Sequence, residues 1–134
     1  MPTMDERIRA FMAAGPWAVA GASSDRYKYG NKVLRNYLQR GMEVYPINPR
    51  ADVIEGVKAY PDLASLPVKA QSLSIITPPK ISEQVVKEAA AAGVKHVWMQ
   101  PGAESAEAIR LAEEAGLSVI AGGPCFLVIA HYHE

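Results

Sequence analysis

The sequence has one cysteine, no excess of either charge and no long apolar segment, and each shortage excludes a class of protein. Cys125 alone cannot form an internal disulfide or a cysteine-rich zinc or iron–sulfur site. Lys plus Arg and Asp plus Glu both number 14, so no global field favours nucleic acid or an acidic membrane. The longest uncharged stretch, residues 115–130, is shorter than the roughly 20 residues of a membrane span, and residues 1–12 lack the apolar core of a secretory signal. We therefore expect a soluble cytoplasmic protein that binds neither nucleic acid nor membranes.

The length and composition fit one globular domain. The chain has 134 residues, of which 49% are hydrophobic and 21% are charged. These proportions exclude disordered, collagen-like and low-complexity proteins, and a chain of this length can bury a substantial core. No linker or internal repeat divides the sequence, so we expect a single domain over residues 1–134.

Short apolar runs alternate with amphipathic segments along the chain. The apolar runs predict strands at residues 17–20, 43–47, 72–76, 94–99 and 117–121, with a further short edge strand at 57–60. The amphipathic segments predict helices at residues 5–13, 31–40, 82–92 and 103–115, the third with Ser82 as its N-cap. This alternation is typical of βαβ units and predicts an α/β fold: a doubly wound, mostly parallel sheet of five or six strands with helices on both faces. Pro46 has no N–H for the ladder, so its strand should be poorly paired on one side near its end.

The loop after the first strand, residues 21–31, is the first candidate binding element, because ligands of such sheets bind at the carboxyl ends of the strands. Gly21 permits a sharp turn and a close approach of phosphate to the backbone. Ser23 and Ser24 offer hydroxyls, and a helix that starts near Gly30 would present free N–H groups to an anion. A plain strand-to-helix turn rich in small residues explains the same sequence.

The loop departs from the dinucleotide-binding pattern G-x-G-x-x-G, since Ser23 replaces the second glycine and the third is absent from its usual place. The second strand ends in Asn48, Pro49 and Arg50, where an NAD site requires an acidic residue for the ribose hydroxyls. NAD is therefore disfavoured, and an arginine there suits a nucleotide with an extra phosphate.

Basic residues gather in or just after the expected ligand-side loops, and they predict a positive cleft on a neutral protein: Arg26, Lys28, Lys32, Arg50 and Lys80. The alternative is that they are solvated loop residues. The segment Thr77-Pro78-Pro79 is stiff and apolar, and it is either a rigid turn or a flat wall for an adenine ring. The sequence alone does not separate these interpretations.

Five motifs occur together in the order found in one family: residues 21–24 (Gly-Ala-Ser-Ser), 28–31 (Lys-Tyr-Gly-Asn), 44–49 (Val-Tyr-Pro-Ile-Asn-Pro), 77–79 (Thr-Pro-Pro) and 97–102 (Val-Trp-Met-Gln-Pro-Gly). With these motifs the chain resembles the stand-alone CoA-binding proteins, which are similar to the N-terminal, Rossmann-like domain of the succinyl-CoA synthetase α subunit. The resemblance covers nearly the whole chain, from about residue 8 to residue 125.

This resemblance implies that the ligand is coenzyme A or an acyl-CoA, whose 3′-phosphate and pyrophosphate fit the basic loops. It implies phosphate contacts in the first loop, from Gly21, Ala22, Ser23, Ser24, Asp25 and Arg26, with a further phosphate contact from Arg50. It implies adenine contacts from Thr77, Pro78 and Pro79, and pantetheine contacts from Met99, Gln100 and Pro101, where Gln-Pro stands in place of the synthetase Thr-Glu. The remaining motif residues expected at the site are Lys28, Tyr29, Gly30, Asn31 and Asn48.

We see no catalytic constellation among the titratable residues. His96 lies in a predicted strand. His131, His133 and Glu134 lie together in the C-terminal tail, but the sequence shows no further ligand that would complete a metal site with them. The synthetases carry their phosphorylated histidine in a second domain, which we do not expect here. Cys125 is either a small buried thiol or a group that exchanges with CoA disulfide.

The function expected from the resemblance is CoA binding without catalysis, as a carrier, a sensor or the partner of an acyl-CoA enzyme. Two alternatives from other classes stay open. One is an NADP-binding oxidoreductase-like domain, and the other is a protein-interaction module with a vestigial nucleotide site and an apolar tail at residues 126–132.

Overall fold

The computed structural model describes residues 2–134, which form an α/β fold. Five helices and seven strands follow one another along this part of the chain, with one 3₁₀ turn at Leu63–Ser65. In chain order they are α1 (Met4–Ala13), β1 (Trp17–Ala20), α2 (Tyr29–Gln39), β2 (Val44–Ile47), β3 (Val53–Ile54), β4 (Val57–Lys58), β5 (Ser72–Ile75), α3 (Pro79–Ala91), β6 (His96–Met99), α4 (Ala106–Glu114), β7 (Ser118–Ile120) and α5 (Phe126–Ile129).

Five of the strands form one parallel sheet in the order β2-β1-β5-β6-β7. The chain leaves β1 toward β2 on one side and returns to β5 on the other side, so the strand order reverses between β1 and β5. The predicted doubly wound parallel sheet is confirmed. Because all five strands are parallel, their carboxyl ends meet at one edge, where the crevice at the reversal point is the expected ligand site.

The two faces of the sheet carry separate apolar clusters. Along β1, Ala18 and Ala20 belong to the cluster under α3 and α4, whereas Val19 belongs to the cluster under α1, α2 and α5. This alternation follows from the two-residue period of a strand, which sends successive side chains to opposite faces. Helices therefore cover both faces, as predicted.

Phe126 in α5 ties the C-terminal segment to the second cluster. Its ring stacks on Tyr37 with centroids 4.4 Å apart and meets Phe11 and Trp98 edge-on. The Tyr37 hydroxyl shares a 2.7 Å hydrogen bond with Ser74 of β5. Burial raises the pKa of Tyr37, and the Ser74 hydrogen bond only partly opposes that shift. The C-terminal segment thus packs on its own sheet through Phe126, whose stacking partner Tyr37 is buried and neutral.

Two predicted helix starts are wrong. Helix α3 begins at Pro79, with Pro78 at the N-cap, because proline is well suited to the first helical position, where no N–H bond is needed. Ser82 is therefore not the N-cap, and its hydroxyl instead pairs with Thr77 at 2.8 Å. Helix α4 begins at Ala106 rather than at residue 103, because the Ser105 side chain caps it by accepting from the N–H of Ala108.

The predicted edge strand at residues 57–60 is also different in the structure. Residues Val57–Lys58 form β4, which pairs with β3 in a small antiparallel hairpin outside the main sheet. Tyr60 alone meets the edge, through a parallel bridge to Ile47. The carbonyl of Pro46 accepts from Tyr60 N–H at 3.0 Å, so the missing N–H of Pro46 faces this outer edge and β1 loses no partner. The poor pairing predicted near the end of this strand is therefore limited to the missing N–H of Pro46, because Tyr60 bonds to Pro46 and Asn48 on that side.

Candidate functional site

A cavity of about 890 Å³ opens at the carboxyl edge of the sheet, around the reversal point. It is bounded by the loops that follow β1, β2, β5 and β6 and by one face of α3. The lining residues predicted from the sequence are Gly21, Ala22, Ser23, Lys28, Tyr29, Gly30, Asn48, Arg50, Thr77, Pro78, Gln100 and Pro101. The structure therefore brings together most of the expected set. The other members, Ser24, Asp25, Arg26, Asn31, Pro79 and Met99, lie outside the lining.

In the structure the first loop spans residues 21–28, and Gly21 at its start lies in close contact with Gly30 in the first turn of α2. Gly21 has φ +89°, a conformation that favours glycine, and a Cβ on Gly30 would collide with the Gly21 carbonyl oxygen. The first turn of α2 thus packs directly on the end of β1. In the dinucleotide pattern the third glycine allows this close packing of helix on strand. Here the loop is longer, and Gly30 has the same role.

The start of α2 leaves backbone donors free beside the cavity. Within residues 2–134, the N–H groups of Tyr29 and Gly30 have no hydrogen-bond acceptor, as expected for the first turn of a helix. Both residues line the cavity. Free N–H groups at a helix start favour an anion, since the helix dipole is positive there.

Polar side chains inside the first loop stabilise the loop itself. The Ser23 hydroxyl accepts from Asp25 N–H at 3.0 Å, and the Asp25 carboxylate accepts from Tyr27 N–H at 3.0 Å. Asn31 is fully buried below the loop and donates to the Ser23 carbonyl at 2.8 Å. Asp25 and Asn31 thus support the loop from outside the cavity lining, and Ser24 is exposed on its outer side.

The loop after β2 contributes the second polar wall. Asn48 donates to the Ala22 carbonyl at 2.9 Å and accepts from Arg50 N–H at 2.7 Å, so it ties this loop to the first one. The Arg50 side chain is exposed on the cavity and makes no ion pair within the described chain. It is free to meet an anion.

Only two of the five basic residues singled out in the sequence line the cavity, Lys28 and Arg50. Arg26 instead lies 3.5 Å from Glu55, and Lys32 lies 3.3 Å from Glu134. Lys80, at the start of α3, also lies outside the lining. The positive part of the cavity is therefore narrower than the sequence predicts, and it is confined to the ends of β1 and β2.

The α3 side of the cavity was missed in the sequence. Ile81, Gln84, Val85 and Glu88 line it from one helical face, at the spacing of three or four residues that one face requires. Pro61 and Asp62, from the segment after β4, line it from the other side. Pro79 is the sequence signal that would have placed this face at the edge of the sheet, because proline favours the first position of a helix.

The loop after β6 supplies Gln100, Pro101, Gly102 and Ala103. Gln100 is only 3% exposed, and its amide donates to the Cys125 sulfur at 3.0 Å and accepts from Phe126 N–H at 3.1 Å. It thus connects the cavity to the start of α5. Met99 is fully buried in the core cluster, because it is the last residue of β6 and points into the α3–α4 face.

A second cavity of about 460 Å³ lies beside the C-terminal end of α3, away from the carboxyl edge. Its walls come from two segments that no sequence motif singled out, residues 63–70 and residues 91–94. Of its lining side chains only Lys69 is charged. It offers a different location against which ligand binding at the carboxyl edge can be tested.

The histidines stand apart from the cavity. His96 lies at the first residue of β6, at the opposite end of the strand, and its buried Nδ1 has no partner within residues 2–134. Burial lowers the pKa of His96, and the charge of Lys95 adds to this shift.

In the described part of the chain, no three His, Cys, Asp or Glu side chains are grouped to hold a metal ion. Nor does any helix there combine the length and apolar character that a membrane crossing needs.

Comparison with known proteins gives a consistent picture. Residues 16–131 match the family model described as CoA binding domain. The chain is 32% identical, over 127 residues, to the alpha subunit of acetate–CoA ligase [ADP-forming] II from Pyrococcus furiosus; the match covers 87% of this chain and 27% of the relative. The chain thus spans about a quarter of the length of that curated relative.

Two solved structures extend the likeness. A conserved hypothetical protein from Pyrococcus furiosus has a TM-score of 0.79 and 44% identity, over 84% of this chain and 97% of its own. The dinucleotide forming acetyl-coenzyme A synthetase 1 of Ca. Korarchaeum cryptofilum, solved with phosphate and ADP, has a TM-score of 0.70 and 35% identity, over 84% of this chain and 26% of its own. The resemblance drawn from the five sequence motifs is confirmed.

Proposed function

The chain belongs to the CoA binding domain family, and we propose that it binds coenzyme A or an acyl-CoA in the cavity at the carboxyl edge. One observation carries this proposal: the cavity is lined by Gly21, Gly30 and Arg50, all within the residues that match the family model. CoA is a nucleotide with a 3′-phosphate, a pyrophosphate and a long neutral arm. Each part of the cavity has groups suited to one of these three parts.

The phosphates belong at the ends of β1 and β2. The free N–H groups of Tyr29 and Gly30 suit the pyrophosphate, because backbone donors at a helix start favour anions. Lys28 and the unpaired Arg50 add positive charge at the same end of the cavity. Arg50 is assigned to the 3′-phosphate, since a guanidinium binds a phosphate through two parallel hydrogen bonds.

The adenine ring belongs between the two apolar walls beside Arg50. Pro49 and Pro61 line one side of the cavity, while Pro78 and Ile81 line the α3 side. Rigid apolar side chains suit the faces of a base, and Gln84 supplies an amide for its polar edge. The pantetheine arm then extends along residues 100–103, where Gln100 is already held in place by Cys125 and Phe126.

We assign the protein a binding role in the cytoplasm, as a carrier or sensor of CoA or as the partner of an enzyme that makes or consumes acyl-CoA. The support for a partner of this kind is the similarity to one part of the acetate–CoA ligase subunit, whose remaining length this chain does not match. In this role the chain performs no catalysis of its own.

Thermal unfolding with separate titrations of CoA, dephospho-CoA, NADP and NAD tests the proposal. A ligand at about 100 times its Kd stabilises the folded state by roughly 2.7 kcal/mol, which is several degrees for a domain of this size. We expect the largest shift with CoA. A shift specific to NADP would identify an oxidoreductase-like site instead, and no shift with any ligand would contradict nucleotide binding.

A further inference from the structure

The β3–β4 hairpin brings an acidic side chain to the first loop. Glu55 and Gly56 form the turn of this hairpin, with φ angles of +50° and +76°. Successive positive φ angles are typical of the tight turns that match the twist of a hairpin. Ile54, just before the turn, is buried in the core cluster, so the hairpin is fixed to the body of the fold. Glu55 is therefore presented from a well-supported position.

The Glu55 carboxylate contacts two residues that belong to the first loop or lie directly under it. One of its oxygens accepts from the Asn31 amide at 3.1 Å and lies 3.5 Å from Nε of Arg26. The Glu55 side chain is 22% exposed and that of Arg26 is 61% exposed. Arg26 is thus paired with Glu55 and lies outside the cavity lining, although the sequence predicts it as a phosphate contact.

Asn31 carries the contact further into the loop. Its amide also donates to the Ser23 carbonyl at 2.8 Å, and its side-chain oxygen accepts from Arg35 Nε at 2.7 Å. Arg35 in turn donates to the Arg26 carbonyl at 2.9 Å. The carbonyls of Ser23 and Arg26 are therefore both held by one network, in which Glu55 accepts from Asn31 and Glu134 pairs with Arg35 at 3.4 Å.

We propose that Glu55 is a positioning residue for the CoA site, which it serves by holding Arg26 and Asn31 and so fixing the loop at residues 21–28. This inference rests on the proposed function. Residues 21–28 belong to no helix or strand, so a loop ordered before binding saves the ligand the entropic cost of ordering it. Arg26 acts through Glu55 and does not contact a phosphate.

Electrostatics alone predicts that removing Glu55 strengthens CoA binding. A carboxylate near a site for a polyanion repels the ligand, so its removal should tighten binding if charge alone matters. If Arg26 contacts a phosphate directly, freeing it from Glu55 should tighten binding as well. The positioning role predicts weaker binding when Glu55 is removed. The sign of the change therefore separates the two accounts.

Isothermal titration with CoA tests the inference on four variants: Glu55→Ala, Glu55→Gln, Arg26→Ala and the double variant Glu55→Ala with Arg26→Ala. We expect each single alanine variant to raise the Kd about threefold to tenfold, the range for losing a surface ion pair together with a hydrogen bond. The Kd of the double variant should be no higher than that of the single variant with the higher Kd, because both residues act through one network. Glu55→Gln keeps an oxygen acceptor for Asn31 and should stay closer to the natural protein than Glu55→Ala.

Glu114→Ala is the matched control. It removes a surface carboxylate from an ion pair with Arg110 on α4, far along the chain from the first loop, and should leave the Kd unchanged. An unchanged or lower Kd in Glu55→Ala would overturn the inference. So would additive losses in the double variant, since these would show independent contacts with the ligand.

Amide hydrogen exchange in the ligand-free protein supplies a second readout. In Glu55→Ala the amides of residues 22–27 should exchange faster, while those of β1 and β5 should keep their rates. Unchanged exchange in the loop would also overturn the positioning role. This measurement needs no ligand, so it still tests Glu55 if the natural protein fails to bind CoA, a result that would count only against the proposed function.

Discussion

The carbonyl oxygen of Gly21 and the Cα of Gly30 are so close that no side chain fits on Gly30. This contact places the free N–H groups of α2 directly above the end of β1. In the proposed CoA site this contact prepares the first loop for a phosphate, without the regular spacing of the dinucleotide pattern.

Gly30→Ala should therefore damage both the fold and the site. The added methyl group must push α2 away from Gly21, and we expect a stability loss of about 1–3 kcal/mol, as for an overpacked core. The Kd for CoA should rise about tenfold or more. Urea unfolding and calorimetric titration measure the two effects.

Gly41→Ala is the control for this glycine substitution. Gly41 has φ +67° with open space around it, so alanine there is strained by about 1 kcal/mol without touching the loop. It should lose stability and keep its affinity for CoA. Normal affinity in Gly30→Ala would show that the close contact with Gly21 is not needed for binding.

Arg50→Ala should weaken CoA binding about tenfold, the lower end of the effect of losing a hydrogen bond between charged groups. Dephospho-CoA lacks the 3′-phosphate, so its Kd should change much less. Arg110→Ala, on the surface of α4, controls for loss of an arginine elsewhere. Equal losses for the two ligands would place Arg50 away from the 3′-phosphate.

Phe126→Ala should destabilise the protein by about 3–5 kcal/mol, since it empties a fully buried position among three aromatic rings. Val128, two residues later, is 71% exposed, and Val128→Ala should change the unfolding free energy by less than about 0.5 kcal/mol. Chemical denaturation measures both. A small effect of Phe126→Ala would mean that the tail does not pack on its own sheet and is available to a partner.

His96 should make the folded state sensitive to mild acid. Its pKa is lowered in the folded protein, so between the unfolded value near 6.5 and the lower folded value the unfolded chain binds more protons. The stabilising contribution of neutral His96 is thus complete above about pH 6.5 and is lost as the pH falls through the lower folded-state pKa. Unfolding free energies measured across this interval should show a shallower slope in His96→Gln than in the natural protein.

An identical slope in His96→Gln and in the natural protein would contradict the argument from burial.

The strands and the loops after them could be predicted from the sequence because short apolar runs between glycines and prolines specify them locally. Gly21, Asn48, Thr77 and Gln100 follow directly from where those strands end, and all four line the cavity. The parallel order brings them together without any long-range information beyond the handedness of βαβ units.

The remaining walls depend on tertiary placement. Pro61 and Asp62 reach the cavity only because the segment after β4 folds back over the sheet edge through Tyr60. Nothing local predicts that path. Arg26 shows the same limit for charge: a sequence reveals a basic residue in a loop, but not that Glu55, far along the chain, will pair with it.

The most direct test of the account is a titration of the ¹⁵N-labelled protein with CoA, followed by amide chemical shifts. We predict saturable changes at the N–H groups of residues 21–30, 48, 50, 100, 102 and 103. The N–H groups around the second cavity, at residues 63–66, 68–70 and 91–94, should be unchanged. Saturable changes confined to the second cavity, or no changes at all, would contradict CoA binding at the carboxyl edge of the sheet.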